Sequence, residues 1–146
     1  MKIESPVFKN NELIPTKYTC QGEDVNPPLK ISAVPQSTKS LALIIDDPDA
    51  PVGTWVHWLL WNIPTATAEI KENEVPPEAV EGQTDFGQPG YGGPCPPSGT
   101  HRYFFKLYAL DTELSLAAGA SKKELEAALR GHILEQAELI GLYKKY

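Results

Sequence analysis

Three apolar runs of strand length, set between loops dense in proline and glycine, constrain this chain more than any other feature. Leu41-Ala42-Leu43-Ile44-Ile45 is continuous and rich in residues that suit a buried sheet. Trp55 to Ile63 is aromatic and apolar, with His57 its only ionisable member, and Tyr103 to Leu110 carries a single charge at Lys106. Fourteen prolines and eleven glycines in 146 residues cluster between these runs, which predicts ordered loops joining strands. Leu29-Lys30-Ile31 alternates after Pro27-Pro28, and weaker strands are expected at 5–9 and 12–18. The stretch 64–100 reads as loop with room for one short strand.

The C-terminal part changes character. Ser121-Lys122-Lys123-Glu124 has the form of a capping box, and Leu125 and Leu129 then fall four apart on one helical face. Gly131 interrupts this pattern, and Ile133, Ala137 and Ile140 continue an apolar stripe on what reads as a second helical segment. The expected architecture is mainly β: one domain over 1–146, an antiparallel β-sandwich covered by one or two C-terminal helices.

Thirteen basic residues against nineteen acidic give a formal charge of −6. That balance argues against nucleic acid as a partner, because such binding needs a basic surface to displace counterions. It also argues against adsorption on anionic membranes. Any bound anion has to be drawn in by local groups. No apolar run reaches bilayer length, so no transmembrane segment is expected, and the start Met1-Lys2-Ile3-Glu4-Ser5-Pro6 lacks the apolar core of a signal peptide. The expected location is therefore cytoplasmic. In a reducing cytosol, Cys20 and Cys95 would be two buried thiols. The alternative is a bridge tying the N-terminal segment to the Gly/Pro loop, and spacing does not choose between them.

Polar groups gather where the strands end. Asp47-Pro48-Asp49-Ala50-Pro51 follows the first run, Trp55-Val56-His57-Trp58 opens the second, and Gly92 to Tyr103 opens the third. Pairing 41–46 with 56–62 as a hairpin brings Asp47 and His57 to one end of the sheet. Strict alternation then places His57 on a face with Leu59 and Trp61, and His101 on a face with Tyr103, Phe105 and Leu107. If 103–110 lies alongside 56–62 in the same direction, both histidines and both aspartates converge. Imidazoles held by carboxylates, with Gly-rich backbone amides beside them, form a small site for phosphate, sulfate or a carboxylate. Taken singly, each residue is ordinary: an Asp before Pro makes turns, and a His in an apolar strand packs in a core.

Together, Asp47-Pro48-Asp49-Ala50-Pro51, Trp55…His57-Trp58 and Gly93-Pro94…Gly99…His101-Arg102-Tyr103 resemble the phosphatidylethanolamine-binding protein family, which includes the Raf kinase inhibitor-like proteins. The likeness runs from Tyr18-Thr19-Cys20 to the C-terminal segment and is nearest the bacterial and archaeal branch. It implies the family's β-sandwich and an anion pocket formed by Asp47, Asp49, Pro51, Trp55, His57, Gly93, Pro94, His101 and Tyr103. It also implies a cis peptide near the Asp-Pro-Asp-Ala-Pro segment, for which Ala50–Pro51 is the first candidate. Cys95 departs from the animal pattern.

The function expected on these grounds is a binding and regulatory module for a small anion or phosphorylated group, without cofactor or metal. The resemblance also carries serine-protease inhibition, a homodimer, and a protease or kinase as protein target. A different reading is a hydrolase using the Asp/His pocket. The sequence has no nucleophile elbow and no His-Glu-x-x-His, and Ser98 three residues from His101 is weak ground for a nucleophile pair, so an enzyme is not expected.

Overall fold

The computed structural model describes residues 1–145. A large six-stranded sheet dominates it, with strand order β2-β9-β8-β4-β5-β7. Its centre is the three runs read from the sequence: β4 (Ser40–Asp47), β5 (Trp55–Ile63) and β8 (Thr100–Leu110). β4 pairs antiparallel with both β5 and β8, so β5 and β8 run in the same direction with β4 between them rather than side by side. β2 (Glu12–Leu13) and β7 (Val80–Glu81) form the edges, and β2 makes the sheet's one parallel pairing, with β9 (Ile133–Lys144). A second sheet contains β1 (Lys2–Glu4), β3 (Leu29–Ser32) and β6 (Glu69–Ile70) in the order β1-β3-β6.

The two faces of the large sheet bury different sets of side chains. Leu41, Leu43, Ile45, Trp58, Leu60, Tyr103, Phe105 and Leu107 point inward against Ile3, Leu29, Ile31 and Ile70 of the small sheet. The opposite face, carrying Ala42, Ile44, Val56, Leu59 and Trp61, is covered by Leu125 and Leu129 of α1 (Lys122–Leu129) and by Leu114. Each fully buried Leu, Ile, Val or Phe among them is worth roughly 1.5–3 kcal/mol in transfer free energy. The central strands are apolar along their whole length because both of their faces are covered.

Four local expectations need correction. The segment from Ile133 is a strand, not a second helix. Gly131 takes φ +77° and ends the chain's one helix among the described residues, after which Ala137, Leu139, Gly141 and Tyr143 turn inward along β9 and pair with β8. Ile133, Ala137 and Ile140 do not share a face of β9: Ile140 is an odd step from Ala137, and a bulge between the Leu110–Ile133 and Ala109–Glu135 pairs turns Ile133 over as well. The N-terminal strands fall at 2–4 and 12–13 rather than at 5–9 and 12–18, and residues 16–18 make a 3-10 turn. Two short strands, β6 and β7, lie within 64–100 where one was allowed for. Finally, every peptide bond among the described residues is trans, Ala50–Pro51 included.

The cysteines also correct the default expectation. Cys20 and Cys95 are bonded to each other, with Cα atoms 5.4 Å apart, and both residues are exposed. The bridge straps the segment around the 3-10 turn to the Gly/Pro loop. Cys20 N–H donates to Pro94 O nearby, and Tyr91 Oη donates to Tyr18 O.

Candidate functional site

A β-bulge decides where His57 points. Ile45 pairs with Trp58 but Asp46 pairs with Val56, so β5 carries one extra residue at this step, and that residue is His57. Without the bulge, alternation would put His57 on the face of Leu59 and Trp61. With it, the imidazole stands on the inner face, 5.2 Å centroid to centroid from the ring of Tyr103. The sequence expectation for its face is therefore reversed, and the reversal is what allows His57 to meet His101 and Asp47 at one end of the sheet.

Those groups border a cavity of about 260 Å³, lined by Asp47, Ala50, Pro51, Val52, Trp55, His57, Phe86, Cys95, Pro96, Pro97, His101 and Tyr103. No residue of the small sheet takes part, so the cavity opens where the loops alone cover the inner face. Of the residues expected from sequence, Asp47, Pro51, Trp55, His57, His101 and Tyr103 line it. Asp49, Gly93 and Pro94 stand behind it. The sequence reading missed Phe86, Val52, Cys95 and the two prolines after it, because nothing in a Gly/Pro-rich loop marks which apolar residue folds back. Phe86 is brought in by a ladder-like pair, Val56 N–H to Asp85 Oδ2 and Asp85 N–H to Val56 O. Its ring then lies edge-on to Trp55 and to His57. Gly92 permits this approach, since a Cβ there would sit 2.3 Å from the Phe86 ring.

Both imidazoles are fixed through Nδ1. His101 Nδ1 donates to Asp47 Oδ2 at 2.7 Å, and His57 Nδ1 donates to the Gly92 carbonyl at 2.7 Å. A carbonyl only accepts, so the His57 proton sits on Nδ1 and its Nε2 is left without a partner among the described residues. Burial holds the pKa of His57 below its ordinary value, partly offset by the Gly92 carbonyl and the Asp47 charge.

A further set of contacts braces this pair. Asp47 Oδ1 accepts from the Asp49 N–H at 2.7 Å. The Asp49 carboxylate in turn takes the Arg102 backbone N–H, Nε and Nη2 at 3.0, 2.9 and 2.8 Å. This bidentate grip holds the Asp49 carboxyl down at about 2. Gly93 N–H donates to Asp24 Oδ1, and a Cβ on Gly93 would lie 2.3 Å from Tyr18 O, so Gly93 and Pro94 dock the loop onto the 3-10 segment rather than face the cavity.

Tyr103 carries the site's one uncommitted buried hydroxyl. The residue is 1% exposed, and its Oη has no hydrogen-bond partner among the described residues. Burial, with the Asp47 and Asp49 charges, pushes the phenol far above its ordinary pKa; the nearby Cys95 amide offsets this in part, and the Asp47 carboxylate, close by but not in hydrogen-bonding geometry, adds to it, so the phenol stays protonated and able to donate. The arrangement thus has two oriented imidazoles and one unused phenol at its base, with an apolar rim of Trp55, Phe86, Val52 and prolines. It has the chemistry to hold an oxyanion carrying a small apolar substituent. No group of three or more acidic, histidine or cysteine side chains suited to a metal occurs among the described residues.

Known proteins agree with this architecture. Residues 4–144 match the sequence family described as phosphatidylethanolamine-binding protein. A UPF0098 protein of Pyrococcus horikoshii is 55% identical over 150 residues, spanning 97% of this chain and 75% of its own. One from Methanothermobacter thermautotrophicus is 50% identical over 150 residues and 99% of both chains. The crystal structure of a phosphatidylethanolamine-binding protein homologue from Chlamydia trachomatis superposes with a TM-score of 0.96 at 42% identity, over 99% of this chain and 97% of that one. YbcL of E. coli, described as a new member of the mammalian family, gives 0.92 at 33% identity, over 99% and 98%.

Proposed function

This chain belongs to the phosphatidylethanolamine-binding protein family, and we propose that within it the chain acts as a binding module for a small oxyanion: phosphate, a phosphoryl headgroup or a carboxylate. The observation that carries the reading is the unsatisfied Tyr103 hydroxyl, buried beside two imidazoles whose Nδ1 atoms are already engaged. A buried polar group without a partner costs about 1–3 kcal/mol. Its retention between two oriented rings is accounted for when a ligand oxygen accepts from it.

The size of the cavity refines the ligand. About 260 Å³ equals roughly nine waters at ~30 Å³ each, more than a phosphate fills. The excess is bounded by Trp55, Phe86, Pro96 and Pro97, which favour an apolar or aromatic substituent over a bare ion. A protein side chain bearing such a group would enter past Val52, which is 86% exposed at the rim. Because Asp47 sets a carboxylate beside His101 and the whole chain is acidic, affinity for a bare anion should be modest, about millimolar, or about −4 kcal/mol. Phosphate titration followed through the histidine ring resonances tests the proposal. Shifts of His57 and His101 that saturate, and are absent for the exposed His132, support it. Unmoved rings at tens of millimolar reject it.

A further inference from the structure

We propose that the Cys20–Cys95 disulfide is a thiol-accessible switch that sets the shape of the anion pocket, an inference that rests on the binding reading above. One wall of the cavity is Cys95, Pro96 and Pro97. From Cys95 to Gly99 this wall forms no backbone–backbone hydrogen bond among the described residues. Two of its residues are prolines and have no N–H to offer. On its N-terminal side the loop is well held: Gly92 exchanges bonds with His57, Gly93 N–H reaches Asp24, and Pro94 O accepts from Cys20 N–H. On its C-terminal side, pairing resumes at Thr100 with Lys144. Between those anchors the disulfide is the one covalent tie, and it lies exposed to solvent.

Exposure makes the bond attackable, and its position makes the attack consequential. A dithiol reductant supplies the electrons. Its thiolate attacks one cysteine sulfur, the protein S–S bond breaks, a mixed disulfide forms, and the other cysteine leaves as a thiolate that takes a proton from water. The reductant's second thiol then resolves the mixed disulfide, frees the second cysteine and leaves as its own disulfide, two electrons having passed to the protein. Released at Cys95, the 95–99 wall is free to move away from Tyr103. The cavity then loses the Cys95 amide next to the phenol and the closure made by Pro96 and Pro97. The oxidised form is the tight-binding form.

The test compares phosphate affinity, read from the His57 and His101 ring resonances, in oxidised protein, in protein reduced by dithiothreitol without denaturant, and in a Cys20→Ser/Cys95→Ser double variant. The expected result is about tenfold weaker binding in both bond-free forms, a size usual for coupled sites, with the double variant indifferent to redox state. The Cys95, Ser98 and Gly99 amide resonances should shift in the same two samples, while the β4, β5 and β8 amides stay protected from hydrogen exchange. Equal affinity in all three samples overturns the switch and leaves the binding reading standing. A bond that dithiothreitol reduces only in denaturant also overturns the switch. Oxidised protein that is silent to phosphate overturns both.

Discussion

His101 Nδ1 and Asp47 Oδ2 meet at 2.7 Å in a pair whose side chains are 9% and 5% exposed, making one end of the large sheet a buried hydrogen-bonded site rather than a simple turn. Stripping a buried carboxylate such as that of Asp47 of its partner costs about 3–5 kcal/mol in a dry interior. Here the cavity admits water on one side, so a His101→Ala change should cost less, about 2 kcal/mol. The variant is expected to keep its native near-ultraviolet circular dichroism and a cooperative, lowered Tm, yet show no phosphate-dependent shift at His57. An unfolded His101→Ala protein would mean that the residue serves the core alone.

The Arg102–Asp49 grip predicts an acid-sensitive component of stability. Hydrogen bonds from Arg102 hold the folded Asp49 carboxyl at about 2, below the ~3.9 of an unfolded chain. The depressed value means the contribution is complete above about pH 4 and fades as the pH falls through about 2. The Tm of the parent protein should therefore drop more steeply over that window than that of Arg102→Met. Parallel curves for the two would show that the bidentate contact is solvated in solution. Since Arg102 is half exposed, added salt should also narrow the difference.

His57 predicts a coupling between anion uptake and proton uptake. Its Nδ1–H is committed to Gly92, and burial keeps the ring neutral near pH 7, so Nε2 presents a lone pair to the cavity. An unprotonated oxyanion would be repelled by that lone pair unless Nε2 gains a proton. Sulfate is the informative probe, because it does not titrate in this range. Its affinity should rise as the pH is lowered from 8, by up to about tenfold per unit, and calorimetry in buffers of different ionisation enthalpy should report close to one proton taken up. In the unliganded protein the lowered pKa acts with the opposite sense on stability: the neutral folded ring is lost to protonation in the unfolded chain first, so stability declines as the pH falls below about 6.5. Sulfate binding without proton uptake would remove His57 from the role of donor.

How much of this could be read beforehand follows from particular residues. The runs 41–45, 55–63 and 103–110 announced the central strands because burial on both faces leaves no polar interruption to misread. The Ser121–Glu124 capping box marked α1 just as directly, and both of its bonds are made. The strand β9 was hidden because Ile133, Ala137 and Ile140 fit a helical period, while its true inward positions 137, 139, 141 and 143 include a glycine and give only a weak alternation. His57 was placed on the wrong face because alternation assumes an unbroken ladder, and a single bulge inverts it. Phe86 and the Cys20–Cys95 bridge are tertiary events between loops far apart in the chain, on which local pattern is silent. Six of the nine expected pocket residues nonetheless line the cavity, since motif positions at strand ends survive errors of register that ruin face assignments within strands.

Tyr103→Phe separates stability from binding most cleanly. In the unliganded protein the phenol oxygen is buried and unpartnered, so deleting it removes a desolvated polar atom and leaves the ring packing against His57 intact. Folding stability should be unchanged or higher by up to about 1 kcal/mol, the reverse of what loss of a used hydrogen bond would give. Anion binding should weaken by about ten- to fifteenfold, the value of one hydrogen bond to a charged acceptor at its lower end. Urea unfolding and phosphate titration on the same preparation measure both quantities. A destabilised Tyr103→Phe protein with unaltered phosphate affinity would show that the hydroxyl serves the folded chain through water and takes no part in holding the anion.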